Sequence, residues 1–149
     1  MLMKRILIVC GVIIVCSLIL YLVLLTFYAP NGKVNKAKID YSTSEKFDDT
    51  KLQSAVNCVL SEFKEYKGCT LLNLWYDEQK SDYYLEEYFS NNNINYKKED
   101  IIILYSDFKV NFTGGEGGSF KPNSTYNNWI WMLVRDSKTD SWIVISSGY

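Results

Sequence analysis

Asp77, Glu78, Asp107 and Glu116 stand in or beside segments that read as turns, in a chain of 149 residues without a histidine. Two of these carboxylates converging in one cleft would form an acid–base pair for hydrolysis, or offer oxygen ligands to Ca²⁺. Their spacing selects neither. Solvated acids and aspartate turn caps explain the same four residues, and this is the stronger reading. Lack of histidine removes the commonest general base and the commonest transition-metal ligand. The four cysteines show no CxxC or Cys/His spacing, so neither a zinc site nor any cofactor is expected.

A second candidate is the run Gly114-Gly115-Glu116-Gly117-Gly118. Its backbone N–H groups could close around an anion. No Gly-Lys-Ser/Thr follows and a strand comes next, so it is not a P-loop. Asn123 and Tyr126 either hold this loop down or touch a ligand, and the holding role is preferred. Trp129, Trp131 and Trp142 could stack on a sugar or a peptide, although large aromatics beside a small sheet more often fill its core. The set expected to meet a ligand is therefore Asp77, Glu78, Asp107, Glu116, Asn123, Tyr126, Trp129 and Trp131, with no catalytic or metal-binding residue assigned.

These residues need a frame. Leu52, Val56, Val59, Leu60 and Phe63 recur at spacings of three and four behind Asp48, Asp49 or Thr50, which predicts a helix ending at Lys67-Gly68. Cys69 to Trp75 reads as a strand. Ser81 to Phe89 reads as a short amphipathic helix, with Asn91 to Asn93 ending it. Ile101 to Phe112 is β-branched and aromatic, so a second strand is expected there. A loop of about 15 residues over 113–127 follows, long enough to suggest a role of its own. Asn128 to Arg135 and Ser141 to Ser147 then form a hairpin across Asp136 to Asp140. Alternation puts Trp129, Trp131 and Leu133 on one face and Ile130, Met132 and Val134 on the other. The expected fold is α+β, a small antiparallel sheet packed on one or two helices, with an aromatic face left as a pocket wall or covered by the long loop.

Ahead of this domain, Ile6 to Phe27 carries no charge and as a helix would span about 33 Å, enough for a bilayer core of roughly 30 Å. A cleaved signal peptide also starts with a basic segment such as MLMKR, but its apolar stretch is only about 7–15 residues. The reading is a tail at 1–5, a transmembrane helix at 6–27, a linker at 28–43 standing the domain off the membrane, and an extracytoplasmic domain at 44–149. Lys4 and Arg5 directly before a first apolar helix favour an outward domain, while Lys33, Lys36 and Lys38 beyond it oppose that on a strict count. After the anchor, 14 of the 16 basic residues face 17 acidic ones, so no nucleic-acid partner is expected. If the domain is exported, Cys58 and Cys69 could pair, although two unlinked thiols are the simpler expectation.

The segments FKEYKGCTLLNLWYDEQKS, ILYSDFKVNFTGGEGGSFKPNSTYNNWIWMLVRD and WIVISSGY resemble a family of small exported or membrane-anchored proteins of Gram-positive bacteria. The resemblance covers roughly residues 45–149 and is most specific in the GGEGGSFKPNSTY loop and the Trp-x-Trp strand. It implies an extracytoplasmic domain of the cystatin or nuclear-transport-factor-like α+β class. It supplies no catalytic residues, and Ser146 and Ser147 depart from the acidic and aromatic residues usual there. The leading expectation is a non-catalytic module at the cell envelope that holds a peptide, glycan or partner protein. The alternatives are a carboxylate-dependent hydrolase and a structural subunit of a membrane complex.

Overall fold

A computed structural model describes residues 2–27, 30–41, 44–91, 96–136 and 138–149. Three helices, α1 (Leu2–Phe27), α2 (Asp49–Phe63) and α3 (Glu78–Asn91), accompany five strands, β1 (Lys38–Tyr41), β2 (Cys69–Tyr76), β3 (Ile101–Val110), β4 (Thr125–Arg135) and β5 (Trp142–Gly148). The fold is α+β with an N-terminal apolar helix. The predicted stop at Asn92 and Asn93 lies outside the described residues.

Helix α2 starts where Asp48 accepts the Lys51 N–H at 2.9 Å, a side-chain cap for one orphan donor of the first turn. Its spacing of three and four puts Leu52, Val56, Val59 and Phe63, all fully buried, on one stripe. Gly68, at φ 72°, then turns the chain into β2. A side chain there would also meet the Asn111 carboxamide oxygen at 2.8 Å.

The sheet is mixed, in the order β1-β2-β3-β4-β5. That corrects the purely antiparallel expectation, because β1 comes from the segment read as a linker and pairs parallel with β2, Lys38 against Asn73 and Tyr41 against Tyr76. Four residues with alternating exposure are too short to show a period, and a parallel partner lies beyond a whole crossover helix. Residues 30–33 of the same segment are also bonded to the folded part. Gly68 donates to the Pro30 carbonyl at 2.6 Å, Gly32 to that of Lys64 at 2.8 Å, and Lys33 to that of Cys69 at 3.0 Å. Gly32 lies so close to α2 that a Cβ there would come within 2.0 Å of the Phe63 carbonyl oxygen.

Side-chain alternation divides the sheet into two buried faces. On one, Ile102, Leu104, Phe108, Trp131 and Leu133 cluster with the apolar stripe of α2. On the other, Ile101, Ile103, Tyr105, Met132 and Val134 cluster with Leu85 of α3. Neither face of β4 is left open over residues 131–134, so the aromatic face expected to be a pocket wall or covered by the long loop is not a pocket wall there. Cys58 and Cys69 are free thiols. Cys58 directs its S–H to the Trp142 carbonyl at 3.2 Å, and burial pushes the Cys69 thiol up to about 11.

Apolar side chains along α1 are uncovered, Val12, Leu18 and Leu24 each more than half exposed. Met3–Leu24 is long and apolar enough to cross a membrane.

Candidate functional site

Asp107 sits where two strands lose register on either side of it. Between Leu71 and Asn73, β2 carries an extra residue opposite β3, and between Trp129 and Tyr126, β4 carries another. Such bulges free ladder groups and bend the strand. The Asp107 carboxylate receives the Asn128 backbone N–H at 2.9 Å and, from the other bulge, the Asn73 side-chain amide at 2.9 Å. Asn128, at φ 55°, turns its own side chain to accept from Lys80 at 2.7 Å. Asp107 thus clasps a double bulge.

Asp77 caps α3, accepting from the Lys80 N–H at 3.0 Å. Glu78 receives the Ser44 hydroxyl, the backbone N–H groups of Glu45 at 3.3 Å and Lys46 at 3.4 Å, and the Tyr76 hydroxyl at 3.4 Å. The Ser44 hydroxyl, followed by those backbone donors, holds the Glu78 carboxyl below its ordinary value of 4.5. A carboxyl kept ionised suits a latch and does not suit a general acid, whose pKa must be raised. The side chain of Glu116 lies outside the described residues. No group of three His, Cys, Asp or Glu among the described residues could hold a metal ion.

The latch has a pH signature. A carboxyl lowered in the folded state stabilises the fold above its unfolded pKa, and that contribution is lost as pH falls through the folded one. Glu78→Gln should therefore lower Tm by a few degrees at about pH 7, and the wild-type and variant curves should converge as pH falls below 4.5 and through the lowered folded-state pKa. Melting the full chain in detergent across pH checks this. A constant gap down to pH ~3 would mean that the Glu78 charge does not hold the 44–46 segment.

Trp131 is fully buried, and its indole N–H donates to the Ser106 hydroxyl at 2.8 Å. Trp129 is half-buried among Tyr66, Phe108, Phe120, Tyr126 and Tyr149, with ring centroids 5.3–6.5 Å away. Its own N–H is buried without a hydrogen-bond partner among the described residues. Phe120 is what closes this face. The Phe120 N–H reaches back to the Gly114 carbonyl at 2.8 Å, and its ring stacks on Tyr66 at 5.5 Å. Tyr126 accepts the Lys121 N–H at 3.1 Å, while exposed Asn123, at φ 55°, donates its backbone N–H to the Asn111 carbonyl at 3.0 Å. Both residues tie the long loop down.

A different set of residues encloses space. A cleft of about 370 Å³ opens between the 46–47 segment, α3 and the start of β3. Phe47, Tyr76, Leu85 and Ile101 supply its apolar surface. Ser81, only 2 % exposed, also lines it and brings a hydroxyl to an otherwise apolar wall. At the rim Lys46 pairs with Asp82, and the Lys98 ammonium lies 5.6 Å from the Phe89 ring. Glu86 and Glu99, both exposed, complete the rim, and no ion pair among the described residues uses either.

Comparison of the chain with protein-family models, with curated proteins and with solved structures finds no match.

The cleft therefore has to be understood from its own chemistry. Its volume lies in the range of small-ligand sites, and its pattern of apolar wall with a few polar groups is theirs too. Sequence reasoning missed it because four separated stretches build it, and none carries a motif. Of the eight residues expected to meet a ligand, none lines it.

Proposed function

We propose that this chain is a single-pass membrane protein whose folded part is a non-catalytic binding module facing outward at the cell envelope. Its ligand site is the cleft beside α3. The observation that carries this reading is the cleft itself, about 370 Å³ with Phe47, Tyr76, Leu85 and Ile101 as apolar wall and Ser81 as a polar group within it. Exposed apolar side chains along α1 support a lipid surrounding, because a helix uncovered all round needs one. Lys4 and Arg5 favour the outward topology, and the family resemblance points the same way.

Rim charge suggests the ligand's character. Asp82 is already paired with Lys46, while Glu86 and Glu99 remain as acceptors around an apolar pocket. A short peptide with an ammonium group next to an apolar side chain satisfies both, and the Ser81 hydroxyl bonds its backbone. Binding fits better than hydrolysis because Asp77, Glu78 and Asp107 each already receive protein donors. The structural-subunit reading keeps one point in its favour, the exposed Ile143 and Ile145 on edge strand β5.

Calorimetric titration of the full chain in nanodiscs with Lys-Leu dipeptides tests the proposal. Binding should weaken about ten-fold in the Glu86→Gln/Glu99→Gln chain and equally when the peptide's amines are acetylated. No heat with any peptide would refute the cleft as a peptide site. Equal affinity in the double variant would refute the charge assignment.

A further inference from the structure

Only three residue-to-residue steps lead from the end of α1 at Phe27 to Pro30, whose carbonyl accepts the Gly68 N–H at 2.6 Å. Three such steps reach at most about 11 Å. The Gly68 carbonyl in turn accepts the Asn111 N–H at 2.9 Å, and the Asn111 carbonyl accepts that of Asn123 at 3.0 Å. A short ladder of backbone bonds therefore ties the Gly68 turn and the base of the long loop to the residue just behind the helix. If α1 crosses a bilayer, this end of the domain lies beside the interfacial layer, which is about 5–8 Å deep on each side.

The side chains at this end suit that position. Phe112, next to Asn111, is 60 % exposed. Lys33, Lys64 and Lys121 are exposed around it, held there by the Lys33 bond to Cys69, the Gly32 bond to Lys64 and the Lys121 bond to Tyr126. Exposed Glu62 and Glu65 on the last turn of α2 and just beyond it make the surface mixed in sign.

We infer that this end of the domain docks on the membrane surface, with the Phe112 ring among the headgroups and Lys33, Lys64 and Lys121 on the phosphates of anionic phospholipid. Aromatic rings favour the headgroup level, and lysines close to an anionic leaflet are attracted to it. The inference rests on the reading of α1 as a membrane span. Its consequence is orientation. The cleft wall at Tyr76 lies at the other end of β2 from Cys69, about 23 Å away along the strand, so docking aims the cleft away from the lipid.

Tryptophan fluorescence of the full chain in nanodiscs, with lipids brominated near the headgroup end of the chain, provides the test. Phe112→Trp is the probe, Tyr21→Trp within α1 reports insertion, and Thr139→Trp in the β4–β5 turn is the distal control. Each is compared with the wild-type signal. Docking predicts that the added Phe112→Trp emission falls by a factor of about two or more, that Thr139→Trp emission does not change, and that Lys33→Gln/Lys64→Gln/Lys121→Gln reduces the quenching in phosphatidylglycerol discs but not in phosphatidylcholine discs. Quenching at Tyr21→Trp with none at Phe112→Trp would overturn docking and leave the anchor standing. Absence of quenching at both would overturn the anchor and docking together. Quenching at Phe112→Trp that ignores the lysines and the lipid charge would overturn the electrostatic part.

Discussion

Trp131→Ala is expected to destabilise the domain by about 3–5 kcal/mol, the range for removing a fully buried tryptophan. Trp131 is 0 % exposed, and its ring centroid lies 6.3 Å from that of Phe63 on α2 and 5.1 Å from that of Tyr66. Truncation opens a cavity between sheet and helix. It also strands the Ser106 hydroxyl, which is fully buried and receives the indole N–H. Domains of this size have about 5–15 kcal/mol in total, so much of the population should unfold at modest denaturant. Trp131→Phe keeps most of the packing and should cost markedly less. Pulse proteolysis of the full chain in detergent across a urea series measures both. A shift below about 1 kcal/mol for the alanine variant would mean that the ring is a free ligand platform, contrary to its burial.

Asp107→Ala should cost about 2–3 kcal/mol: hydrogen bonds to charged groups are worth about 1.5–3 kcal/mol each, and two donors lose their acceptor, but exposed Asn128 regains water in its place. The Asn128 N–H and the Asn73 amide both depend on it. Asp107→Asn keeps one acceptor oxygen and should fall between. The same variants separate the bulge clasp from a catalytic carboxylate. A clasp lowers the urea midpoint and leaves peptide affinity at the cleft unchanged below the transition. An active-site acid would leave the midpoint near wild type, and that result would restore the hydrolase reading.

Local order decided what the residues revealed in advance. Helix α2 was legible because Leu52, Val56, Val59 and Phe63 repeat at helical spacing behind a capping aspartate, all within one short stretch. Strands β3 and β4 were legible through their β-branched and aromatic content, and the alternation of Trp131 and Leu133 against Met132 and Val134 matches their two clusters. Strand β1 was hidden, since Lys38–Tyr41 acquires its role only from a parallel neighbour some 35 residues later. The purpose of Asp107 was hidden for a related reason. A bulge is a property of register between strands, and no single strand displays it. Which face of β4 would be filled depended on where α2 and Phe120 came to rest, a matter of packing and not of period.

The cleft was the least legible feature. Phe47, Tyr76, Ser81, Leu85 and Ile101 come from four stretches, and each residue alone is unremarked apolar or hydroxyl content. Carboxylates that drew attention in the sequence turned out to hold backbone in place: Asp77 at a helix start, Glu78 on the 44–46 segment, Asp107 at the bulges. Aspartate and glutamate beside turns accept N–H groups by default, and that default describes these three.

The proposed outward binding module requires the folded part to lie on the outer side of the cell membrane. Protease shaving of intact cells carrying a C-terminal epitope tag measures it directly, with lysed cells showing that the tag can be cleaved. An outward binding module predicts loss of the tag from intact cells. Survival of the tag on intact cells, with loss on lysis, would contradict it and place the cleft among intracellular ligands.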